Sequence, residues 1–403
     1  MQKIRFAGIA LLGAVAIWAG VCCLEGPSEN VRYDGGLVSV QYPAFSTVSS
    51  EDGEKTDAVL TESNTFPVPE GPATSAASAC VMTANGIQLA GKADTEFVSI
   101  ASTTKIMTAL LTLELGEGHL DEPFNVGDEV KVEGSALGIK PGAEVTLRLL
   151  VWGMLLSSGN DAASAAAIRL AGSFEEFAKL MNERAAEIGM EHTVFVTPSG
   201  LDADGQGSCA KDLALLACEA LQNPDFRDIC EETNGHMTVG GVEYWMTNHN
   251  RLLKEYDGCI GIKTGFTDSA GRCLVSAAEK DGAVIVSVVL HDPDDWEDSK
   301  KLLDWGFSQL ETRELVCQLD DYTIPAVPAE DMEESDENAT ILPYTLRQRN
   351  SVCISLAPQE QLTEIVSLVP SLPAGAASGT TAGIVQWVDS QGKVRGWCAI
   401  ETE

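Results

Sequence analysis

Two stretches of strand-like sequence, at residues 75–90 and 258–290, enclose a long helix-patterned middle, and that arrangement leaves few folds open. The first, ASACVMTANGIQLAG, reads as strand, Asn85-Gly86 turn and strand, because Asn-Gly tolerates the backbone of a two-residue hairpin turn. The second holds strand patterns at 258–264, 272–279 and 283–290, the last two joined by the tight turn Lys280-Asp281-Gly282. Strands that open and close one unit can pair in a single antiparallel sheet, with the helices inserted between them.

The middle is read from apolar spacing and caps. Ile106, Met107, Leu110, Leu111 and Leu113 predict a helix over 103–114. Thr146 is placed to cap a helix running to 156, and an alanine-dense helix covers 162–171. Ser173 with Glu176 has the spacing of a capping box for a helix to 188, and further helices are expected over 211–221 and 299–307. Past 314 the texture changes to short strands and turns (ATILPYTLR, SVCISLAP, EIVSLVP, GIVQWVDSQGKVRGWCAI), as in a small all-β unit. The acidic run EDMEESDE at 330–337 reads as a solvated loop within it.

The chain has 403 residues, 26 basic against 60 acidic, and a formal net charge of −34. So acidic a surface excludes nucleic-acid binding, which needs clustered Lys and Arg on the phosphates, and suits solubility in an extracellular medium. Lys3 and Arg5 precede the apolar run FAGIALLGAVAIWAGVCCL, so residues 1–24 form a signal peptide or an N-terminal anchor, with lipid attachment at Cys22 or Cys23 the least favoured reading. Each reading places the rest outside the cytoplasm. Residues 25–74, rich in Ser, Thr, Glu, Gly and Pro, read as a flexible lead-in. A main unit is then expected over 75–312 and a β-rich one over 313–403. The chain stops at Glu403 just after a strand pattern, so no C-terminal anchor is expected. Of eleven cysteines, two lie in the leader; the other nine form no CxxC pair or Cys/His cluster of metal spacing, and the five histidines are scattered. No metal or cofactor is expected, and free thiols are at least as good a reading as bridges.

Three motifs carry the chemistry. Ser102-Thr103-Thr104-Lys105 opens a helix, and residues three apart share a helix face, so the Lys105 amine is in reach of the Ser102 hydroxyl. Serine is a weak nucleophile until a base takes its proton, and lysine serves as that base only when burial or nearby positive charge lowers its pKa. The pattern alone is cheap, since Ser208-Cys209-Ala210-Lys211 also fits it. Ser158-Gly159-Asn160 lies in an inter-helix connection, where a hydroxyl and an amide two apart can share a cleft; turn and cap chemistry explains it equally well. Lys263-Thr264-Gly265 sits on a strand, which can offer its backbone to a peptide as a further strand, with Gly265 allowing close approach; an ordinary strand end is the bland alternative.

S-x-x-K, S-x-N and K-T-G in that order make up the serine penicillin-binding and β-lactamase signature, and the order disposes of the decoy, because Ser208 follows Asn160. With IASTTKIMTALL, LLVWGMLLSSGNDAA, FVTPSGLDADG, GIKTGFTDSAGRCLVSAAEKDG and SKKLLDWGF, the chain resembles the low-molecular-mass D-alanyl-D-alanine carboxypeptidases, peptidase family S11, over about 75–400. The resemblance implies an α/β (α+β) fold: a β-lactamase/transpeptidase-like antiparallel sheet with an inserted helical region, followed by a small all-β domain. It implies that Ser102 is the acylated nucleophile and Lys105 its base. Ser158 would help pass the proton to the leaving amine, and Asn160 would position Lys105 and the substrate amide. Lys263 and Thr264 would orient the terminal carboxylate on the Gly265 strand, and the backbone N–H groups of Ser102 and Phe266 would form the oxyanion hole. The implied substrate is the peptidoglycan pentapeptide, β-lactams are covalent inhibitors, and any membrane tether lies in the N-terminal segment. Two departures stand out: Gly205-Gln206-Gly207-Ser208 replaces a family Gly-His-Tyr-Ser/Thr stretch, and HDPDDWEDSKK lacks an Arg ahead of the closing helix. A class A β-lactamase would need a deacylating Glu loop between the second and third motifs, and none is found.

Overall fold

The computed structural model describes Pro69, residues 71–327 and residues 343–403. The leader at 1–24, most of the lead-in and the acidic run at 330–337 lie outside the described residues. Strands β1 (Ser78–Thr83) and β2 (Gln88–Lys92) form the expected hairpin, closed by Gly86 N–H donating to the Thr83 carbonyl at 2.9 Å. The helical part begins with a 3₁₀ turn, Ala101–Thr104, leading into α1 (Lys105–Leu115). A short pair, β3 (Phe124–Asn125) with β4 (Glu144–Val145), precedes α2 (Leu147–Leu155), α3 (Asn160–Ala171) and α4 (Phe174–Ile188). Next come α5 (Ala210–Ala220), α6 (Pro224–Glu231), a hairpin of β5 (Asn234–Val239) and β6 (Val242–Thr247), and the single turn α7 (Leu252–Glu255). The chain returns as β7 (Cys259–Thr267), β8 (Gly271–Lys280) and β9 (Ala283–Leu290), then α8 (Asp295–Ser308).

The main sheet runs β2-β1-β9-β8-β7, antiparallel throughout, so the first strand pairs with the last across the helical insertion. All six residues of β1 are buried because helices cover both faces. Successive side chains of a strand point to opposite faces. Accordingly Cys80 and Met82 join the core with α1, α3 and α5, while Ala79 and Val81 pack with Leu302 and Leu303 of α8. Phe177 on α4 is fully buried in the larger core, where truncation of such a ring costs about 3–5 kcal/mol.

The caps behave largely as their chemistry dictates. Thr146 accepts from Leu149 N–H at 3.2 Å, and Ser173 accepts from Glu176 N–H at 3.1 Å. The reciprocal half of the capping box does not form, because the Glu176 carboxylate pairs with Lys179 one turn on, at 2.6 Å. The short β3–β4 pair, α6, the β5–β6 hairpin and the single turn α7 lie outside the elements expected from the sequence. Helix α6 is short, yet Asn223 caps it by accepting from Phe226 N–H at 3.1 Å, with Pro224 in its first turn. The β5–β6 hairpin turns at Gly240-Gly241 between alternating residues, a Gly-Gly turn signal legible in the sequence.

The C-terminal part is all β, as expected. It comprises β10 (Glu311–Leu315), β11 (Ala326–Val327), β12 (Leu346–Gln348), β13 (Val352–Leu356), β14 (Thr363–Leu368), β15 (Leu372–Pro373), β16 (Thr381–Val388) and β17 (Val394–Thr402). Its four-stranded sheet runs β12-β17-β16-β14 over a separate apolar cluster that includes Leu346, Val385, Trp387 and Ile400. It touches the β1–β2 hairpin tip, where Asn85 Nδ2 donates to Glu360 Oε1 at 2.9 Å. All nine described cysteines are free thiols.

Candidate active site

Ser102 lies in the 3₁₀ turn ahead of α1, a slight shift from the helix start expected at 103. In a 3₁₀ turn the side chains at i and i+3 eclipse one another, and the Lys105 Nζ accordingly stands 2.9 Å from Ser102 Oγ. Lys105 is 0% exposed, and its other hydrogen bonds go to Asn160 Oδ1 at 2.7 Å and to the Ser199 carbonyl at 2.6 Å. An ammonium would fill all three contacts as donor. A neutral amine keeps the two bonds to the carbonyl oxygens and turns its lone pair to the Ser102 hydroxyl. Burial, and then the neighbouring charge of Lys263, push the Lys105 pKa well below the ordinary lysine value, while Asp161 opposes them. Such an amine is suited to take the proton of Ser102.

Asn160 is the first residue of α3, and its orientation is over-determined. Its backbone N–H donates to the Ser135 carbonyl at 2.8 Å, and its Nδ2 donates to the Glu133 carbonyl at 2.7 Å, so Oδ1 is the atom left facing Lys105. Asp161, next along and 1% exposed, carries the adjoining loop: its carboxylate accepts from the backbone N–H groups of Leu137, Gly138, Ile139 and Ala162 at 2.8–2.9 Å. Bonds to a charged acceptor are about 1.5–3 kcal/mol each, which makes this a firm clamp. Ser158 is buried with φ at +57°, a left-handed backbone uncommon outside glycine. Among the described residues its hydroxyl makes no hydrogen bond to Ser102 or Lys105.

The loop that supplies the Ser199 carbonyl is held by residues outside the three motifs. Thr108 Oγ1 donates to the Pro198 carbonyl at 2.6 Å. Gln206 Oε1 accepts from Val196 N–H at 3.1 Å, Thr197 N–H at 2.7 Å and Thr197 Oγ1 at 3.0 Å, and its Nε2 donates to the Leu201 carbonyl at 2.9 Å. The glutamine flagged as a departure is therefore the loop's internal brace. Gly200, at φ +79°, packs so tightly on the turn before Ser102 that a Cβ there would collide with the Ala101 carbonyl.

On the far side, β7 is the edge strand of the sheet, and among the described residues only β8 pairs with it, so its other edge is open to an extended peptide. Lys263 on this strand is 1% exposed, and burial lowers its pKa to about 7; its Nζ donates to the Thr264 carbonyl at 2.7 Å. A Cβ on Gly265 would lie 3.0 Å from the Ile100 carbonyl oxygen and 3.2 Å from Ser102 N, so the strand grazes the Ser102 turn. Phe266 is 64% exposed at the strand's outer end. The structure thus joins Ser102, Lys105 and Asn160 directly and sets Lys263 and Gly265 beside them. Ser158, Thr264 and Phe266 share these elements without touching the trio through side-chain hydrogen bonds. Ser199, Gly200, Gln206 and Asp161 are the supports missed in the sequence, although PSGL and the Asp after Asn160 marked their places. The decoy is far from this arrangement in role: Ser208 exchanges backbone hydrogen bonds with Val98, and Cys209 caps α5.

A family profile described as D-alanyl-D-alanine carboxypeptidase, Peptidase S11, matches residues 65–294, more than half of the chain. The chain belongs to this family. Among the carboxypeptidase family's curated members it is 36% identical over 238 residues to D-alanyl-D-alanine carboxypeptidase DacF of Bacillus subtilis, covering 57% of this chain and 61% of that one. It is 35% identical over 260 residues to DacB2 of Mycobacterium tuberculosis, covering 62% of this chain and 88% of that one. The chain therefore spans about three fifths of the length of DacF and most of DacB2. The crystal structure of the Streptomyces K15 DD-transpeptidase superposes with a TM-score of 0.56 at 29% identity, covering 59% of this chain and 99% of that one. The structure of DacD from Francisella tularensis extends the shared fold to 85% of this chain and 96% of its own, with a TM-score of 0.57 at 24% identity.

Proposed function

We propose that this chain is a serine D-alanyl-D-alanine carboxypeptidase that removes the terminal D-alanine from peptidoglycan stem peptides. The observation that carries the reading is the Lys105 amine, fully buried, depressed in pKa and 2.9 Å from Ser102 Oγ. In this reading the peptide lies antiparallel along the free edge of β7, with its terminal carboxylate toward Lys263 and Thr264. Ser102 Oγ attacks the carbonyl between the two D-alanines while Lys105 takes its proton. The N–H groups of Ser102 and Phe266 hold the oxyanion, each such donor being worth about 2.7–4 kcal/mol. Ser158 returns the proton to the leaving D-alanine, with Asn160 holding Lys105 and the substrate amide. Water then enters, Lys105 accepts a proton from it, and the ester is cleaved to free Ser102. A β-lactam that mimics the D-alanyl-D-alanine end acylates Ser102 in the same way.

Residues 75–312 form the catalytic domain in this reading and 313–403 an accessory β-rich domain. The family's substrate places its work in the cell envelope, with residues 1–24 as the export signal or tether. No helix among the described residues is long and apolar enough to cross a membrane. A second reading is transpeptidation, in which an amine in place of water takes the acyl group; it is favoured by the likeness to the Streptomyces K15 DD-transpeptidase. The test is release of D-alanine from a peptide ending in D-alanyl-D-alanine, with and without penicillin, by the parent chain and Ser102→Ala. Penicillin-sensitive release that Ser102→Ala abolishes is expected. Labelling without release, with product forming only when an amine acceptor is added, would select the transpeptidase. Release or labelling that survives Ser102→Ala would remove the nucleophile assignment.

A further inference from the structure

A second cluster of chemically capable side chains sits at the start of α5, outside the cleft. His192, Cys209 and Asp212 each present one metal-ligating atom, and these atoms all lie within 4.8 Å of one another. Spacing in the sequence gives no hint of it, because the members belong to two stretches that the fold brings side by side through the bridge Val194 to Gly207. Cys209 is buried, with its Sγ accepting from Asp212 N–H at 3.4 Å. Asp212 is 1% exposed. Its Oδ2 accepts from His192 N–H and Thr193 Oγ1, both at 2.7 Å, the Cys209 thiol is a further hydrogen-bonding neighbour of the carboxylate, and no Lys or Arg forms an ion pair with it among the described residues. Asp161, as deeply buried, has four backbone N–H donors in place of a cation. Asp212 has one backbone donor, a hydroxyl and a thiol that is itself a metal-ligating group, and no cation; buried charges are characteristically paired or bound to metal.

We infer that His192, Cys209 and Asp212 form a binding site for one divalent transition ion of zinc's class. An imidazole, a thiolate and a carboxylate together suit zinc, whereas calcium and magnesium take oxygen ligands. Three protein ligands leave one tetrahedral position for water. On binding, the Cys209 thiol releases its proton to solvent and the sulfur coordinates as thiolate, with no change of oxidation state. Thr193 Oγ1 braces the Asp212 carboxylate from behind, as groups around metal ligands commonly do. The ion would fasten the start of α5 to the stretch that leads into Pro198 and Ser199, whose carbonyls meet Thr108 and Lys105. The site is thus a structural tie at the root of the loop that holds Lys105.

The test uses the full chain, freed of metal with a chelator and titrated with cobalt(II) and then zinc. The expected result is one cobalt per chain with a thiolate-to-cobalt charge-transfer absorption that zinc displaces. Cys209→Ser, which keeps a capping hydroxyl, is expected to lose the band. His192→Ala, at an exposed side chain, is expected to bind at least about tenfold more weakly while keeping the parent circular dichroism. No stoichiometric binding, a band that persists in Cys209→Ser, or His192→Ala binding as tightly as the parent would each overturn the site.

Discussion

Gly265→Ala separates the geometry of the cleft from the stability of the fold. A methyl at this position would stand 3.0 Å from the Ile100 carbonyl oxygen, 3.2 Å from Ala101 Cβ and 3.2 Å from Ser102 N, each closer than ordinary van der Waals contact. Two of those atoms are backbone, so no rotamer change relieves the crowding, and either β7 or the Ser102 turn must move by a few tenths of an ångström. The methyl also leans on the Ser102 N–H, one of the two proposed oxyanion donors. Losing one such donor typically lowers the rate by about 10²–10³, and the alanine variant is expected to fall in that range for acylation by penicillin. The fold should hardly notice. Gly265 is not among the glycines with positive φ, so alanine fits its backbone, and the gain of about 0.4–1 kcal/mol from a stiffer unfolded chain offsets part of the strain. The assay is the second-order rate of labelling by a fluorescent penicillin, run beside thermal unfolding. Labelling within a few-fold of the parent at an unchanged Tm would refute the claim that β7 must graze the Ser102 turn.

Lys105→Arg keeps a cation and its hydrogen-bonding capacity but cannot become neutral at working pH; acylation is expected to drop by about 10²–10⁴, and a smaller loss would mean another group is the base. Gln206→Ala removes three hydrogen bonds to Oε1 and one from Nε2. It is expected to lower stability by about 2–4 kcal/mol in chemical denaturation, and an unchanged midpoint would show that the loop does not depend on its brace. Lys263 has its pKa lowered from 10.5 to about 7 on folding, so between those values the unfolded chain holds the extra proton and this group makes stability rise with pH. The slope it contributes is up to about 1.4 kcal/mol per pH unit, present above pH 7 and levelling off near 10.5. Lys263→Met should flatten that part of the stability profile, and an unaltered slope would mean that Lys263 is solvated in the folded protein.

The sheet was legible because its information is local: hairpin turns at Asn85-Gly86 and Asp281-Gly282 and apolar strands fix β1, β2, β8 and β9, and closure then follows from the helices between. Likewise Lys105 and Ser102 are three apart and one turn brings them together. The capping box failed at a solvent-exposed carboxylate, where a competing Lys179 one turn away was enough to redirect Glu176. What the sequence withheld are the long-range supports. Ser199 meets Lys105 through a backbone carbonyl, an atom every residue has, so no side-chain pattern could announce it. Gln206 looked like a loss because a histidine was expected, yet an amide has an acceptor and a donor pointing in one plane, which is what a loop with converging N–H groups and a nearby carbonyl requires.

The two buried lysines explain why the three motifs must converge. Alone in a dry pocket, an amine is already easier to deprotonate; with a second amine beside it, the first proton to leave relieves both desolvation and repulsion. Lys105 feels Lys263 in this sense, and Asp161, the one carboxylate acting on it in the opposite direction, is held in place by four backbone N–H groups. Burial and Lys263 outweigh Asp161, so convergence of the first and third motifs is what leaves Lys105 neutral beside Ser102.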